Sequence, residues 1–510
     1  MRTGGARLVA AGILLSRVFG LVRQRASAHF LGSGEVADAL AAAFRIPNLL
    51  QNLFGEGSLS ASFIPVYARL LAEGKHEEAG RVAGAVLGAL ALLVSVVVAL
   101  GVLGAPWLVV VLAPGFSGEV RELTVLLVRV IFPGLGLLVL SAWCLGVLNA
   151  HRRFFLSYAS PVLWNAAIIV AVLWKGPAQE MAELAVTVAW ASVIGSFLQL
   201  VIQLPTVWQV DRALSLSAGE SVPHVRTVLR NFGPAMATRG VVQLSGYVDT
   251  VIASLLGAGA LATLSYAQAI AMLPVSVFGM SIAASELPTM SEATGDDATV
   301  QGAIRARLDS GLQRIAYFVI PSVIAFVALG GVLASAVYEG GAFTRDDAKW
   351  VWGALMGSAV GLLANTMGRL YASASFALRD TRAPFRFAVL RVTVGAVLGA
   401  SVALNAPRLL QIDARWGIAG LTAASGLAGW LEFHLLRRHV RARIGPVHLP
   451  EGLALRLWGC AMIAAAIAVL LVRVVQGLHP VLIGVVVCGA YGAAYLGLTR
   501  WTGGDRARRA

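Results

Sequence analysis

The chain has 510 residues, 58% of them hydrophobic and 13% charged, with a formal net charge of +14 at pH 7. A soluble protein of this length needs far more polar surface, and the apolar residues come in blocks that reach the roughly 20 residues required by a membrane-spanning helix. The basic residues lie between these blocks and not on one amphipathic face. This composition excludes a soluble protein and argues against nucleic acid as a partner.

Apolar blocks alternate with polar, glycine or proline breaks along the chain and predict about fourteen transmembrane helices. In chain order the blocks cover 7–30, 36–70, 80–111, 121–148, 154–174, 183–207, 225–256, 260–292, 311–338, 349–378, 384–405, 416–440, 450–474 and 479–500. The predicted fold class is therefore an all-α polytopic membrane protein. Arg2 and Arg7 precede the first block as in a signal peptide, but no cleavage-type site follows. We interpret this block as a retained helix.

The distribution of lysine and arginine predicts the orientation in the membrane. With the N-terminus in the cytoplasm, most of these residues fall in inner segments. The outer segments hold only Arg121, Lys175, Arg345, Lys349, Arg408, Arg415 and Arg473. Cytoplasmic loops carry such an excess of positive charge, so we expect both termini on the cytoplasmic side.

Short motifs recur about 220 to 230 residues apart and indicate an internal repeat of the kind found in transporters. The matched pairs are Ser16-Arg17 with Thr238-Arg239, Phe30–Gly34 with Leu255–Gly259, and Leu148–Arg152 with Leu378–Arg382. An even number of helices per repeat predicts two parallel six-helix lobes, over residues 1–220 and 221–445. Helices 13 and 14 and a basic cytoplasmic tail follow in 446–510. Transporters of this plan handle substrate between their lobes.

Charged residues lie inside several blocks, although a charge at the bilayer centre costs from ~3 kcal/mol upward and normally faces a wet cavity or a partner. They are Arg17, Arg23, Arg25, Asp38, Arg45 and Glu56 in the first two blocks, Arg239, Asp249 and Glu286 in the seventh and eighth, and Arg369, Arg391 and Glu432 in later ones. Arginine matches phosphate oxygens with two parallel donors, and arginines in excess over acids attract an anion. The pattern favours an anionic, phosphate-bearing substrate.

Simpler interpretations of these charges stay open. Arg23, Arg25 and Arg45 lie near block ends, where a long side chain reaches the interface at little cost. Asp38 and Glu56 are also explained as plain ion-pair partners of an arginine in helix 1.

Enzyme motifs are absent from the sequence. The chain has no P-loop, HExxH or GxSxG motif, and Cys144, Cys460 and Cys488 lack metal-ligand spacing. The 8 histidines are scattered near helix ends and loops. We therefore expect a transporter and not an enzyme, with no metal site and no cofactor.

A set of specific motifs runs from helix 1 to helix 11. They are Ser16–Arg23, Gly32–Gly34, Ala37–Ala39, Phe44–Leu50, Glu56–Ser58, Gly146–Asn149, Ser160–Asn165, Val248–Thr250, Tyr266–Gln268 and Ala377–Thr381. Together they resemble the MurJ/MviN family of lipid II flippases. The resemblance implies a multidrug/oligosaccharidyl-lipid/polysaccharide exporter fold in the bacterial cytoplasmic (inner) membrane. It implies movement of undecaprenyl-diphosphate-linked peptidoglycan precursor from the inner to the outer leaflet, and so a role in cell wall biogenesis and cell shape.

The resemblance also implies roles for individual residues. An arginine-rich central cavity binds the head group in this family, and the residues assigned to it here are Ser16, Arg17, Arg23, Asp38, Asn48 and Glu56, with Arg25, Arg45 and Arg239 as further basic neighbours. Asp249 matches the acid of a cation site known in some relatives, and Asp380 matches it less well. A cation such as sodium, or the membrane potential, is the expected driving force. Helices 13 and 14 would form a groove for the lipid tail, and the expected partners are lipid II or a similar lipid, membrane lipids and other cell-wall synthesis proteins.

Three departures from the family pattern leave other functions open. Gln51 and Ala269 stand where relatives often have arginine, and Gln24 stands where an acid is common. A flippase for another undecaprenyl-linked saccharide and a membrane scaffold that does not transport therefore stay as alternatives. A cation-coupled drug exporter fits less well, because its cavity should be acidic.

Overall fold

The computed structural model describes residues 3–54, 59, 62–211, 223–283, 286, 290, 296–447 and 450–504. The chain divides into two compact units, Met1–Ser254 and Leu255–Ala510. The described residues are mainly helical, and Gly340 and Phe343 form an isolated β-bridge.

Each unit is built from a succession of helices. The first unit contains α1 (Thr3–Leu31), α2 (Glu35–Phe54), α3 (Ile64–Ala72), α4 (His76–Leu103), α5 (Ala105–Leu112), α6 (Gly118–Ala150), α7 (Phe154–Ala159), α8 (Pro161–Lys175), α9 (Met181–Val201), α10 (Leu204–Val210) and α11 (Pro223–Ser254). The second unit contains α12 (Ala260–Pro274), a π-helical turn (Val275–Met280), α13 (Asp297–Tyr338), α14 (Arg345–Ala377), α15 (Arg382–Leu410), a 3₁₀ turn (Ala414–Trp416), α16 (Gly417–Ile444), α17 (Leu453–Val475) and α18 (Pro480–Trp501).

Many of these helices are suited to a bilayer. Within the described residues, 9 helical segments are long and apolar enough to cross a membrane, among them α4, α6, α13, α15, α17 and α18. These segments do not include α1, α2, α11, α14 and α16, which have comparable lengths. The all-α polytopic fold is confirmed, and the total of fourteen spans stays a prediction.

Two of the predicted blocks are interrupted. The block 80–111 divides at Gly104 into α4 and α5, and Pro106 lies in the first turn of α5, where its missing N–H breaks no helical bond. The block 36–70 contains α2 and α3, and Pro65 has the same position at the start of α3. The hydropathy pattern predicts two adjacent helices as one block when both are apolar.

The division between the compact units falls after Ser254, so α11 belongs to the first unit. The sequence places this helix in the second lobe, which it begins at residue 221. Two hydrogen bonds join α11 to α2: Arg45 Nη1 donates to Gly246 O at 3.3 Å, and the Tyr247 hydroxyl donates to Arg45 O at 2.7 Å. The lobe boundaries at 220 and 445 stay predictions.

The C-terminal ends of α6 and α14 share one backbone geometry. Both helices have 33 residues, and the second residue after each helix, Arg152 or Arg379, is left-handed with φ of 61° or 57°. In both, the N–H of the next residue, Arg153 or Asp380, bonds a carbonyl in the last turns of the helix. This repeated cap supports an internal repeat in which Arg152 corresponds to Arg379. Motif matching paired Arg152 with Arg382, because it compared residue types and not backbone roles.

Glycines set a close helix crossing in the second unit. A Cβ atom on Gly361 of α14 would lie 2.3 Å from the Cα atom of Gly426 on α16, so a larger residue would force the helices apart. Thr422 Oγ1 donates to Ala354 O at 3.1 Å across this crossing. The crossing fixes which side chains of α14 and α16 meet further along the two helices.

A proline in α13 is matched by tyrosines of α18. Because Pro321 has no N–H, the Tyr317 carbonyl one turn earlier loses its helical donor. The Tyr495 hydroxyl donates to that carbonyl at 2.6 Å, and the Tyr491 hydroxyl donates to Pro321 O at 2.7 Å. The last helix is therefore hydrogen-bonded to the proline break in α13.

Candidate functional site

Arg23 is held in a defined orientation inside the first unit. Its Nε–H donates to Asn165 Oδ1 at 3.0 Å, and its guanidinium lies 5.0 Å from the Trp164 ring centre and 6.0 Å from that of Phe44. Asn165 is 5% exposed, and its own Nδ2 donates to Pro161 O at 3.0 Å. A buried amide and two aromatic faces thus orient a positive charge within α1.

Small residues bring the supporting helices together. A Cβ atom on Gly12 of α1 would lie 2.8 Å from Tyr158 Cβ on α7, and one on Gly195 of α9 would lie 2.9 Å from Trp164 Cα on α8. Helices approach this closely only where no side chain intervenes. This packing explains how Arg23 of α1 reaches Asn165, which is 142 residues away in sequence.

Arg45 occupies a second position, between α2 and α11. Besides its bond to Gly246 O, it lies within electrostatic reach of Asp249, which attracts it. The Tyr247 hydroxyl bonds the backbone of Arg45 from the same helix. The structure therefore brings together Arg45 and Asp249, which the sequence assigned to separate substrate and cation sites.

The other predicted residues of the first unit differ in exposure. Arg17 and Asn48 are exposed, Ser16 and Arg25 are half-buried, and Asp38 is 2% exposed. Asn48 lines a small recess together with Phe44 and Trp164, the two aromatic residues that flank Arg23. Asn48 and Arg23 therefore share one neighbourhood.

Some sequence assignments lie beyond what the structure describes. Glu56 and the side chains of Arg239 and Gln51 fall outside the described residues. Ala269 is half-buried on α12. Within the part of the chain that is described, no three His, Cys, Asp or Glu side chains form a group able to hold a metal ion.

The carboxylate of Asp380 already has several hydrogen-bond and ion-pair partners. It lies in the loop between α14 and α15, where it accepts hydrogen bonds from the backbone of Arg382 and Ala383 at 3.1 Å. It also pairs with His439 Nε2 at 2.9 Å and with Arg443 at 2.8 Å. The backbone N–H of Ala383, then His439 and Arg443, hold the pKa of Asp380 below its usual value. These contacts favour a structural role over cation binding, and its assignment to a cation site stays a prediction.

The predicted site residues of the first unit whose side chains the structure describes are basic in sum. Arg17, Arg23, Arg25 and Arg45 outnumber Asp38 and Asp249. A surplus of guanidinium groups attracts phosphate or carboxylate groups.

Sequence reasoning assigned no role to three contributors: Phe44, Trp164 and Asn165. All three lie in motifs that carry the family resemblance. The available signal was Asn165, an amide within the otherwise apolar α8 that has to find a hydrogen-bond partner. Its partner on another helix was not predictable, because it depends on tertiary packing.

Comparison of the sequence with known proteins gives a consistent family. The family model for lipid II flippase MurJ matches residues 27–487. The lipid II flippase MurJ of Burkholderia cenocepacia is 31% identical over 436 residues, which cover 84% of this chain and 82% of that protein. The probable lipid II flippase MurJ of Vibrio cholerae is 28% identical, with 91% of this chain and 86% of that protein covered.

Solved structures show the same fold. A structure of lipid II flippase MurJ in an inward closed conformation has a TM-score of 0.79 and 21% identity, covering 99% of this chain and 100% of that one. An inward-facing multidrug resistance transporter of the MATE family has a TM-score of 0.67 and 17% identity, covering 83% of this chain and 95% of that one. Because the family model spans most of the chain, the protein belongs to the lipid II flippase MurJ family.

Proposed function

We propose that this protein is a lipid II flippase of the bacterial cytoplasmic membrane. It moves undecaprenyl-diphosphate-linked peptidoglycan precursor from the inner to the outer leaflet. The observation that carries this proposal is the match to the MurJ family model over residues 27–487. The surplus of arginines in α1 and α2 supports it, because the precursor carries its negative charge on a diphosphate.

The mechanism follows from charge and position. The basic residues of the first unit bind the anionic head group, and the prenyl tail stays in the lipid. Arg23 is ready for this step because Asn165, Phe44 and Trp164 orient its guanidinium before substrate arrives. Alternating access then carries the head group across.

The membrane potential has the correct sign to help transport. One charge crossing ~100 mV is worth ~2.3 kcal/mol. An inside-negative potential drives the anionic head group outward and draws the emptied, positive cavity back. A coupling cation such as sodium would interact with Asp249, whose attraction to Arg45 it would weaken. No organic cofactor enters this scheme.

We also propose that both termini face the cytoplasm, on the basis of the excess of Lys and Arg in inner segments. Other cell-wall synthesis proteins are proposed as partners, since they make the precursor on one side and use it on the other.

Growth rescue of a flippase-depleted bacterium tests the proposal. The Arg23→Glu variant is expected to lose rescue, because it places a negative charge where the head group binds. The matched control is Arg408→Glu, an exposed arginine at the end of α15 that should tolerate the same charge change. Both variants must insert in the membrane at equal levels. Full rescue by Arg23→Glu would contradict the site, and absence of rescue by the unmodified protein would contradict the function.

A second function stays open because of two residues. Gln51 and Ala269 stand where arginine is common in this family, so a related undecaprenyl-linked saccharide is the alternative substrate. Native mass spectrometry with competing lipids separates the two: retention of the other lipid over lipid II would favour the alternative.

A further inference from the structure

A group of charged side chains in the second unit, partly or fully exposed, is not explained by the residues discussed above. Arg391 of α15 and Glu432 of α16 form an ion pair, with Nε and Oε2 3.2 Å apart. Arg369 of α14 lies within electrostatic reach of both. Counted along each helix at 1.5 Å per residue, the three positions are ~12 to 18 Å from the helix ends near the α14–α15 loop and Ile444. That depth is close to the middle of a ~30 Å hydrocarbon layer.

The three charges do not cancel. Two arginines face one carboxylate, and Arg369 and Arg391 repel each other. Glu432 attracts Arg369, but the ion pair that its carboxylate makes is with Arg391. Placing a charge at membrane depth costs ~3 kcal/mol or more, so an arginine that its neighbours only partly neutralise there indicates a wet surface or a ligand.

The side chain of Arg369 is exposed, although its chain neighbours in α14, Gly368 and Leu370, are buried. An anion can therefore reach its guanidinium. The crossing of α14 and α16 at Gly361 and Gly426 accounts for this placement, since it brings Arg369 and Glu432 near each other two turns further on.

The side chain of Arg391 is only partly satisfied. Its Nε approaches Glu432 but makes no directed hydrogen bond with any described residue. Arginine has five N–H donors in a planar fork, and the edge that carries its two Nη groups is the one that binds phosphate or carboxylate in bidentate fashion. The contact with Glu432 uses the Nε side and leaves the Nη edge for another anion.

We propose that Arg369 and Arg391 form an anion-binding subsite of the second unit, which takes a phosphate or carboxylate group of the transported head group. Glu432 limits the net positive charge of this subsite to one. The inference rests on the proposed lipid II function for the identity of the ligand. It is separate from the basic residues of α1 and α2.

Binding measurements on the full-length protein in nanodiscs test the subsite. Lipid II, undecaprenyl diphosphate and inorganic pyrophosphate serve as three probes. We expect Arg369→Gln to weaken lipid II binding about tenfold, the effect of losing one charge-assisted contact. The matched control is Arg386→Gln, an exposed arginine on the same helix as Arg391, which should bind like the unmodified protein.

A variant of opposite sign sharpens the test. Glu432→Gln removes the only acid of the group and should tighten binding of pyrophosphate, whereas a purely structural ion pair predicts weaker or unchanged binding. Thermal unfolding of each variant shows that the fold is retained. Weaker binding of both lipids to Arg369→Gln assigns the subsite to the diphosphate, and weaker binding of lipid II alone assigns it to a carboxylate of the head group.

Different results would contradict the anion-binding subsite and the lipid II flippase function. If lipid II binds and Arg369→Gln leaves its affinity unchanged, the subsite is wrong and the flippase function stands. If pyrophosphate binding depends on Arg369 but lipid II does not bind, the anion subsite stands and its proposed substrate is wrong.

Discussion

The turns that follow α6 and α14 have the same backbone conformation but differ in the contacts of their side chains. After α6, His151 contacts the Tyr67 hydroxyl at 2.9 Å, and that hydroxyl donates to Asp211 at 2.8 Å. After α14, the acid is in the loop instead: Asp380 pairs directly with His439 of α16. Both caps combine a left-handed turn with a connection between a histidine and an aspartate, which is direct after α14 and runs through Tyr67 after α6.

The two connections also differ in burial. Tyr67 is fully buried and Asp211 is 7% exposed, whereas the Arg443 side chain next to Asp380 is 44% exposed. The Tyr67 hydroxyl has a single hydrogen, which goes to Asp211, so His151 Nε2 must carry the proton that it shares with Tyr67. The first connection is a buried network and the second is a partly solvated ion pair, so their contributions to stability should be unequal.

The largest expected difference comes from removing one partner of each network. Tyr67→Phe leaves Asp211 and His151 without their shared hydroxyl and should lower the free energy of unfolding by about 2 kcal/mol. Asp380→Asn should lower it by less than about 1 kcal/mol, because water screens its partners. Thermal unfolding of the purified protein in detergent gives both values, and a larger loss for Asp380→Asn would reverse the ranking.

A smaller effect, of opposite sign, tests the shared backbone. Arg152 and Arg379 have positive φ, which disfavours residues with a Cβ atom, so Arg152→Gly and Arg379→Gly should each stabilise the fold by about 0.5–1 kcal/mol. Arg153→Gly is the matched control, since Arg153 has φ of −91° and gains nothing from glycine. Unfolding temperatures that fall in both variants would show that the arginine side chains, and not the turn, dominate.

The smallest effect is a difference in pH dependence. Burial lowers the pKa of His151, so the unfolded chain binds this proton more readily than the folded one. The contribution of neutral His151 to the free energy of unfolding is therefore complete above about pH 6.5, and it decreases as the pH falls through that value. Because the pKa of Asp380 is lowered, its contribution to stability is lost only below about pH 3.9, as the carboxylate becomes protonated. Unfolding temperatures between pH 8 and pH 5 (about 1.5 units either side of the histidine value) should fall for the unmodified protein and stay flatter for His151→Gln.

The fold could be predicted because the physics is local: blocks of apolar residues predict the polytopic helical architecture. Arg23 stands out as a charge within such a block, and its assignment to the site stays a prediction. Its support by Asn165 was not predictable, because the two residues are 142 positions apart and meet only through the packing of α1 on α8. The same limit applies to Asp380, whose donors His439 and Arg443 come from a distant helix.

Matching by residue type pairs the wrong residues in the internal repeat. It aligns Arg152 with Arg382, whereas the residues that share the left-handed backbone position are Arg152 and Arg379. For α11, the sequence shows where the helix lies but not that Tyr247 and Gly246 bond to α2 and place it in the first unit.

A leaflet-specific assay of lipid II in flippase-depleted cells tests the central claim most directly. Cells that express this protein should show lipid II accumulating in the outer leaflet, and cells that express Arg23→Glu at the same membrane level should not. Lipid II that stays in the inner leaflet despite expression of the unmodified protein would contradict the account.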